Sequence, residues 1–91
     1  MKIVINREFG GFGLSEDALE EYCKRIGIED IFVHQISRDD PILVEVVESM
    51  GSNADGRYSL LKVVEVPDEV DWYIEEYDGV EWVAERHRTW S

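Results

Sequence analysis

The chain has 91 residues, with 21 Asp and Glu against 9 Lys and Arg, so its formal net charge is −12. This length fits one domain spanning residues 1–91, whose modest core the 44% of hydrophobic residues can fill. The acidic excess argues against direct binding to nucleic acid or to an anionic membrane, because both depend on clustered Lys and Arg. No apolar run of about 18 residues is present that would cross a membrane.

The cysteine content and the first residues indicate the compartment. A single cysteine, Cys23, excludes an internal disulfide framework and suits a reducing environment. The first seven residues contain no apolar stretch of signal-peptide length. We therefore expect a cytoplasmic protein.

The first half of the chain predicts two strands that alternate with two helices. The β-branched run in Lys2–Asn6 predicts a buried strand, after which three glycines in residues 10–13 break regular structure. Ser15 is a favourable N-cap for a helix that Gly27 ends, and the apolar residues between them recur at helical spacing. Residues 31–36 predict a second strand.

A second helix and three further strands complete the predicted fold. Asp40 before Pro41 is a favourable helix start, and Gly51 ends that helix. Residues 60–66 are apolar on both faces except for two positions, which predicts a central strand. Residues 70–77 and 80–85 flank Asp78-Gly79, a strong hairpin signal. The predicted class is α+β, a mostly antiparallel sheet of about five strands with two helices on one side, in the order β-α-β-α-β-β-β.

The predicted hairpin carries the most informative surface of the chain. With a two-residue turn, Tyr77 lies opposite Val80 and Glu75 opposite Trp82. One face then holds aromatic and acidic side chains, and the other holds apolar residues that suit a core. The first face is either an exposed binding surface or part of the core beneath the helices. Its residues are Asp71, Tyr73, Glu75, Tyr77 and Trp82, and the apolar residues of the other face are Trp72, Ile74 and Val83.

Negative charge is concentrated around this hairpin. Residues 65–85 contain nine carboxylates and no Lys or Arg. Such dense charge is either a solvated surface or an electrostatic match to a basic protein surface. Carboxylates on alternate strand residues lie about 6.6–7 Å apart, which approximates the phosphate spacing of nucleic acid. On the second interpretation, the partner-binding residues are Asp71, Tyr73, Glu75, Glu76, Tyr77, Glu81 and Trp82.

Three arginines near the ends of predicted elements suggest a different site. If they converge, they can clamp the phosphates of a nucleotide while an aromatic ring stacks on its base. The alternative is that they are ordinary surface arginines paired with nearby acids. The glycine-rich loop at residues 10–13 matches neither common phosphate-binding motif. The ligand-binding residues of this second hypothesis are Arg7, Gly11, Phe12, Arg38, Arg57 and Tyr58.

Signals for catalysis and for metal binding are weak. The two histidines and one cysteine do not have the spacing of a zinc site. Cys23 falls on the apolar side of the first predicted helix, which suits a core residue better than a nucleophile. We therefore assign no catalytic residue, no metal ligand and no cofactor, and favour a binding protein over an enzyme.

The chain combines six motifs, which are Lys2–Arg7, Gly10–Ser15, Arg38–Pro41, Leu61–Asp68, Glu75–Gly79 and Arg86–Trp90. Together they resemble a small family of proteins from tailed bacteriophages and prophages that is described only as hypothetical. The resemblance implies a phage product made in the cytoplasm of a bacterial host, and it brings no assigned site.

These observations lead to one main hypothesis and two alternatives. The main hypothesis is a non-enzymatic inhibitor that docks its acidic, aromatic hairpin on a basic host protein, such as a CRISPR effector, a restriction enzyme or a polymerase. The first alternative is a homo-oligomeric protein that sequesters a nucleotide signal of host immunity. The second is a small structural or assembly factor.

Overall fold

The computed structural model describes residues 1–86, so the motif at residues 86–90 lies almost wholly outside them. The fold is α+β, with two helices and two small antiparallel sheets of two strands each. The predicted sheet of about five strands is therefore not found among these residues. In chain order the elements are β1 (Lys2–Asn6), α1 (Glu16–Ile26), α2 (Pro41–Met50), β2 (Leu61–Glu65), β3 (Trp72–Tyr77) and β4 (Val80–Glu85).

Both helices begin and end where the sequence predicts. The Ser15 hydroxyl accepts a hydrogen bond from the backbone N–H of Ala18, and Gly27 ends α1 in the left-handed conformation at φ 79°. Asp40 caps α2, with its Oδ1 accepting from the N–H of Ile42 at 2.8 Å. These ends depend on contacts between near neighbours in sequence, which explains why the prediction is confirmed.

The main core lies between the helices and one face of the β1–β2 sheet. The same Asp40 that caps α2 accepts a hydrogen bond from the Tyr22 hydroxyl of α1 at 2.6 Å, which ties the two helices together. Ile3 and Ile5 point to the opposite face of β1 and are also buried. The buried residues of the main core are Val4, Ala18, Tyr22, Cys23, Ile36, Leu43, Val44, Val46, Val47 and Ala54.

The predicted strand at residues 31–36 is wrong, because this segment contains a 3₁₀ turn at Val33–Gln35. The Gln35 side chain accepts from the N–H of Phe32 at 3.0 Å, and the Gln35 N–H donates to the Phe32 carbonyl at 2.9 Å. These local bonds satisfy backbone groups that a strand would pair with a neighbour. Ile36 still reaches the main core.

The expectation that β2 is a central strand is also wrong. Within residues 1–86, β2 pairs only with β1, from Lys2↔Glu65 to Asn6↔Leu61. The hairpin β3–β4 forms a separate sheet, and β4 contacts β1. Within residues 1–86, no helix is long and apolar enough to cross a membrane.

Replacing Tyr22 by Phe tests the tie between the helices. Burial and, second, the hydrogen bond to Asp40 raise the pKa of Tyr22 from 10.0 to about 12. A raised folded-state pKa contributes stability that is complete below the unfolded pKa of about 10 and is lost as the pH rises through the folded pKa. We expect urea denaturation to show that the wild type loses stability relative to Tyr22→Phe between pH 10 and pH 12. A parallel decline in both proteins would contradict the tie.

Candidate functional site

The hairpin is attached to the rest of the chain through the side chain of Glu81, which is only 6% exposed. Its carboxylate binds the Arg38 guanidinium at two points, with Nη1 to Oε1 at 2.6 Å and Nη2 to Oε2 at 2.8 Å. The same Oε1 accepts from the backbone N–H of Asn6 at 2.8 Å. Bidentate geometry with a further donor is the arrangement that compensates the desolvation of a buried ion pair.

This ion pair also satisfies the free edge of β1. The bonds from the N–H of Arg7 to Leu60 and of Val66 to Met1 show that odd-numbered residues of β1 face β2. The even-numbered residues therefore direct their N–H groups to the opposite edge. There the Val4 N–H donates to the Arg38 carbonyl at 2.8 Å, and the Asn6 N–H donates to Glu81. Arg38 and Glu81 together take the place of a neighbouring strand.

The turn of the hairpin rests on the glycine-rich loop. Asp78 and Gly79 both have positive φ, at 50° and 90°, as a tight two-residue turn of this type requires. The Gly10 N–H donates to the Asp78 carbonyl at 3.2 Å, and the Asn6 amide donates to the Gly79 carbonyl at 2.7 Å. A Cβ on Gly79 would collide with the backbone nitrogen of Gly11. The glycine-rich loop, which the second hypothesis assigned to a ligand, thus contacts the hairpin turn.

Two of the three arginines, Arg7 and Arg38, bind a residue of the chain itself. The Arg38 guanidinium stacks on the ring of Phe12 at 3.5 Å while it binds Glu81. Arg7 Nη1 donates to the Glu81 carbonyl oxygen at 2.7 Å. Arg7 and Arg38 therefore converge on Glu81. Their contacts stabilise the junction, by which we mean the attachment of the hairpin to β1 and Arg38 through Glu81.

Arg57 and Tyr58 form a pair beside the glycine-rich loop. The Arg57 guanidinium lies 5.4 Å from the centre of the exposed Tyr58 ring. A Cβ on Gly10 would come within 2.8 Å of the Tyr58 Cβ, which places this pair beside the same glycine loop. Arg57 forms no ion pair within residues 1–86.

One face of the hairpin is open to solvent and carries ordered aromatic side chains. The Glu75 carboxylate accepts from the Tyr73 hydroxyl at 2.9 Å and from the Trp82 indole N–H at 3.1 Å. Tyr77 is 70% exposed and Trp82 39% exposed, so the helices do not cover this face. The hydrogen bond to Glu75 and, second, burial raise the pKa of Tyr73. We call Tyr73, Glu75, Tyr77 and Trp82 the hairpin face.

The other predicted partner-binding residues lie around the hairpin face or beneath it. Asp71 stands at its end, 3.9 Å from an Arg86 nitrogen. Glu76 points to the opposite side of β3, is exposed, and accepts from the N–H of Gly79 at 2.9 Å. The prediction that Glu81 belongs to the binding surface is wrong, because its carboxylate is buried against Arg38. The expected apolar face is half-buried at Trp72, Ile74 and Val83.

A groove of about 410 Å³ lies elsewhere, between α1 and residues 28–30. It holds none of the residues predicted for either site. Over residues 1–86, no group of three or more His, Cys, Asp or Glu is arranged to hold a metal ion.

Comparisons with protein-family models, with curated proteins and with solved structures give no match. The likeness to phage proteins therefore stays a prediction from the sequence.

Asn6 is not among the residues predicted for either site, although it joins three parts of the chain. Besides its bonds to the hairpin, its Oδ1 accepts from the Leu60 N–H at 2.8 Å, beside the start of β2. Asn6 is fully buried. The sequence signal for Asn6 is a polar residue directly after the β-branched run of a buried strand. A polar side chain buried at such a position needs hydrogen-bond partners, which indicates a structural role.

Replacing Glu81 by Gln tests the junction, because it keeps the shape and removes the charge. Arg38 is then left largely enclosed without a carboxylate. We expect a loss of about 3 kcal/mol in the free energy of unfolding, at the low end for a broken buried pair because the Arg38 side chain is 23% exposed. The control, Glu85→Gln, changes an exposed carboxylate of the same strand and should cost less than about 0.5 kcal/mol. Equal losses in urea denaturation would contradict the junction.

Replacing Gly79 by Ala tests the contact between the turn and the glycine loop. Gly27→Ala is the matched control, since Gly27 also has positive φ but nothing lies within 4 Å of its Cβ position. We expect the control to lose about 1 kcal/mol through backbone strain alone. Gly79→Ala should lose at least about 1 kcal/mol more, because overpacking adds to the strain. If thermal denaturation gives the same loss of stability for both variants, the close contact between the turn and the loop is contradicted.

Proposed function

We propose that this protein is a non-enzymatic binding protein that docks its hairpin face on a basic surface of another protein and thereby blocks that surface. The observation that supports this best is the combination of exposed Tyr77 and Trp82 with a surrounding segment that has no cation between residues 65 and 85. Aromatic anchors inside a charged rim are typical of binding surfaces.

The charge of the hairpin is largely uncompensated. Of the nine carboxylates in residues 65–85, which include the hairpin, Glu81 pairs with Arg38, Asp68 with the N-terminal amine, and Asp71 weakly with Arg86. The remainder form no ion pair with residues 1–86, and they attract a basic partner and accelerate its approach. They are Glu65, Glu69, Glu75, Glu76, Asp78 and Glu85.

Two aromatic residues of the hairpin face, Tyr73 and Trp82, are held in place before any partner arrives. Glu75 fixes Tyr73 and Trp82 through the two hydrogen bonds described above. Ordering rotamer-rich side chains on binding costs about 0.5–1.5 kcal/mol each, so side chains that are already ordered lose less free energy on association. This preorganisation favours a binding role over a merely solubilising one.

The partner that we propose is a nucleic-acid-binding protein of a bacterial host. Such proteins present clustered Lys and Arg, which the uncompensated carboxylates of residues 65–85 complement in charge. The host and an inhibitory role in defence or host takeover rest on the resemblance to phage proteins. The nucleotide-binding alternative has less support, because Arg7 and Arg38 are both engaged with Glu81.

Charge reversal on the hairpin tests this function. We expect Glu75→Lys with Glu76→Lys to abolish capture of a basic protein from bacterial lysate, because attraction to a basic surface becomes repulsion. The control, Glu20→Lys with Glu29→Lys, changes the net charge equally at exposed positions outside the hairpin and should retain capture. Mass spectrometry identifies the captured protein, and calorimetry measures its affinity for the purified wild type.

The captured protein must also behave as a charge-dependent, nucleic-acid-binding partner. Its affinity should fall steeply between low and high salt, and a DNA duplex should compete with this protein for it. Capture by both double variants alike, or by neither the wild type nor the control, would overturn the proposed function.

A further inference from the structure

β3 is an edge strand whose outer side is unpaired within residues 1–86. The register Tyr77↔Val80 closes the hairpin, and the Arg86 N–H donates to the Asp71 carbonyl at 2.9 Å. Odd-numbered residues of β3 therefore bond to β4. The even-numbered residues Trp72, Ile74 and Glu76 direct their N–H and C=O groups away from β4.

The backbone of this edge carries no feature that blocks pairing with another chain. β3 contains no Pro and no Lys, and its one-to-one register from Trp72↔Glu85 to Tyr77↔Val80 contains no bulge. Six residues are enough for an added strand to form several backbone hydrogen bonds. The edge is therefore competent to accept another strand.

Its charge indicates which strand it accepts. A second copy of β3 would bring the Glu75 and Glu76 carboxylates against those of its twin, and like charges on adjacent strands are destabilising. An extended segment with Lys or Arg at alternate positions would instead place its cations on the side of β3 that carries Glu75 and the aromatic rings of the hairpin face. Charge complementarity thus disfavours self-pairing and favours a basic strand.

We propose that β3 binds an extended, Lys- or Arg-rich segment of the partner as a third strand of the hairpin sheet. This inference rests on the proposed function and specifies how the basic partner is held. Backbone bonds along Trp72, Ile74 and Glu76 supply affinity, and the hairpin face selects the side chains.

The experiment compares Glu76→Pro with Glu76→Ala. Both lose the carboxylate, but only Pro loses the outward N–H, and neither change removes a bond to β4. The probe is a synthetic peptide of alternating Lys and Val, matched to β3 in length, titrated by calorimetry at low salt. We expect the wild type to bind it, Glu76→Ala to bind somewhat more weakly, and Glu76→Pro to lose about a further tenfold in affinity. A peptide with Glu in place of Lys should not bind.

Intermolecular nuclear Overhauser effects between the peptide and the Ile74 amide of the wild type provide a second readout that needs no variant. Equal affinity of the Pro and Ala variants, or contacts located away from β3, would overturn the edge proposal. If that happens while Glu75→Lys with Glu76→Lys still abolishes capture of the basic protein, only the edge proposal fails. If charge reversal also has no effect, the proposed function fails with it.

Discussion

The Glu81 carboxylate holds together three parts of the chain that are distant in sequence. It binds Arg38, which precedes α2, and the backbone of Asn6 at the end of β1, while Arg7 binds the Glu81 main chain. A buried ion pair is not by itself more stabilising than apolar packing, but losing one partner leaves a charge uncompensated. In this protein the ion pair sets the position of the hairpin, because the Glu81 carboxylate meets all of these donors at one place only.

The position of Glu81 determines which residues the hairpin exposes. Side chains alternate along a strand, so an inward Glu81 requires an outward Trp82. Residues paired across the hairpin share a face, and Glu75 lies opposite Trp82. Tyr73 and Tyr77 then follow on the same exposed side. The buried carboxylate and the exposed aromatic face are thus two results of one register.

The sequence predicted the parts of the fold that depend on neighbouring residues. The Ser15 cap, the Gly27 stop and the Asp78-Gly79 turn each act within a few residues, and the hairpin register follows from the length of its turn. The prediction of a strand at residues 31–36 was wrong because apolar content does not reveal whether a strand edge is available for pairing. At the edge of β1 that faces away from β2, Arg38 and Glu81 accept the backbone hydrogen bonds that a neighbouring strand would accept.

The candidate site was predictable only in part for the same reason. The sequence indicated an acidic, aromatic hairpin, but it did not distinguish a carboxylate that faces Arg38 from one that faces solvent. It also suggested that the arginines converge, yet the group on which Arg7 and Arg38 converge is Glu81. The direction of Glu81 and the convergence of the arginines both depend on contacts between residues that are far apart in sequence. Arg38 and Glu81, for example, are 43 residues apart.

The hairpin is fixed to β1 through Glu81, with one face exposed and the outer edge of β3 unpaired within residues 1–86. Amide hydrogen exchange of the wild-type protein, followed by NMR, tests this attachment. We expect the backbone N–H of Asn6, which donates to the Glu81 side chain, to exchange as slowly as the backbone N–H groups that join β1 to β2. We also expect slow exchange at Tyr73 and Glu75 and fast exchange at Ile74 and Glu76. Fast exchange at the Asn6 N–H, with the whole hairpin exchanging independently of β1, would contradict the attachment.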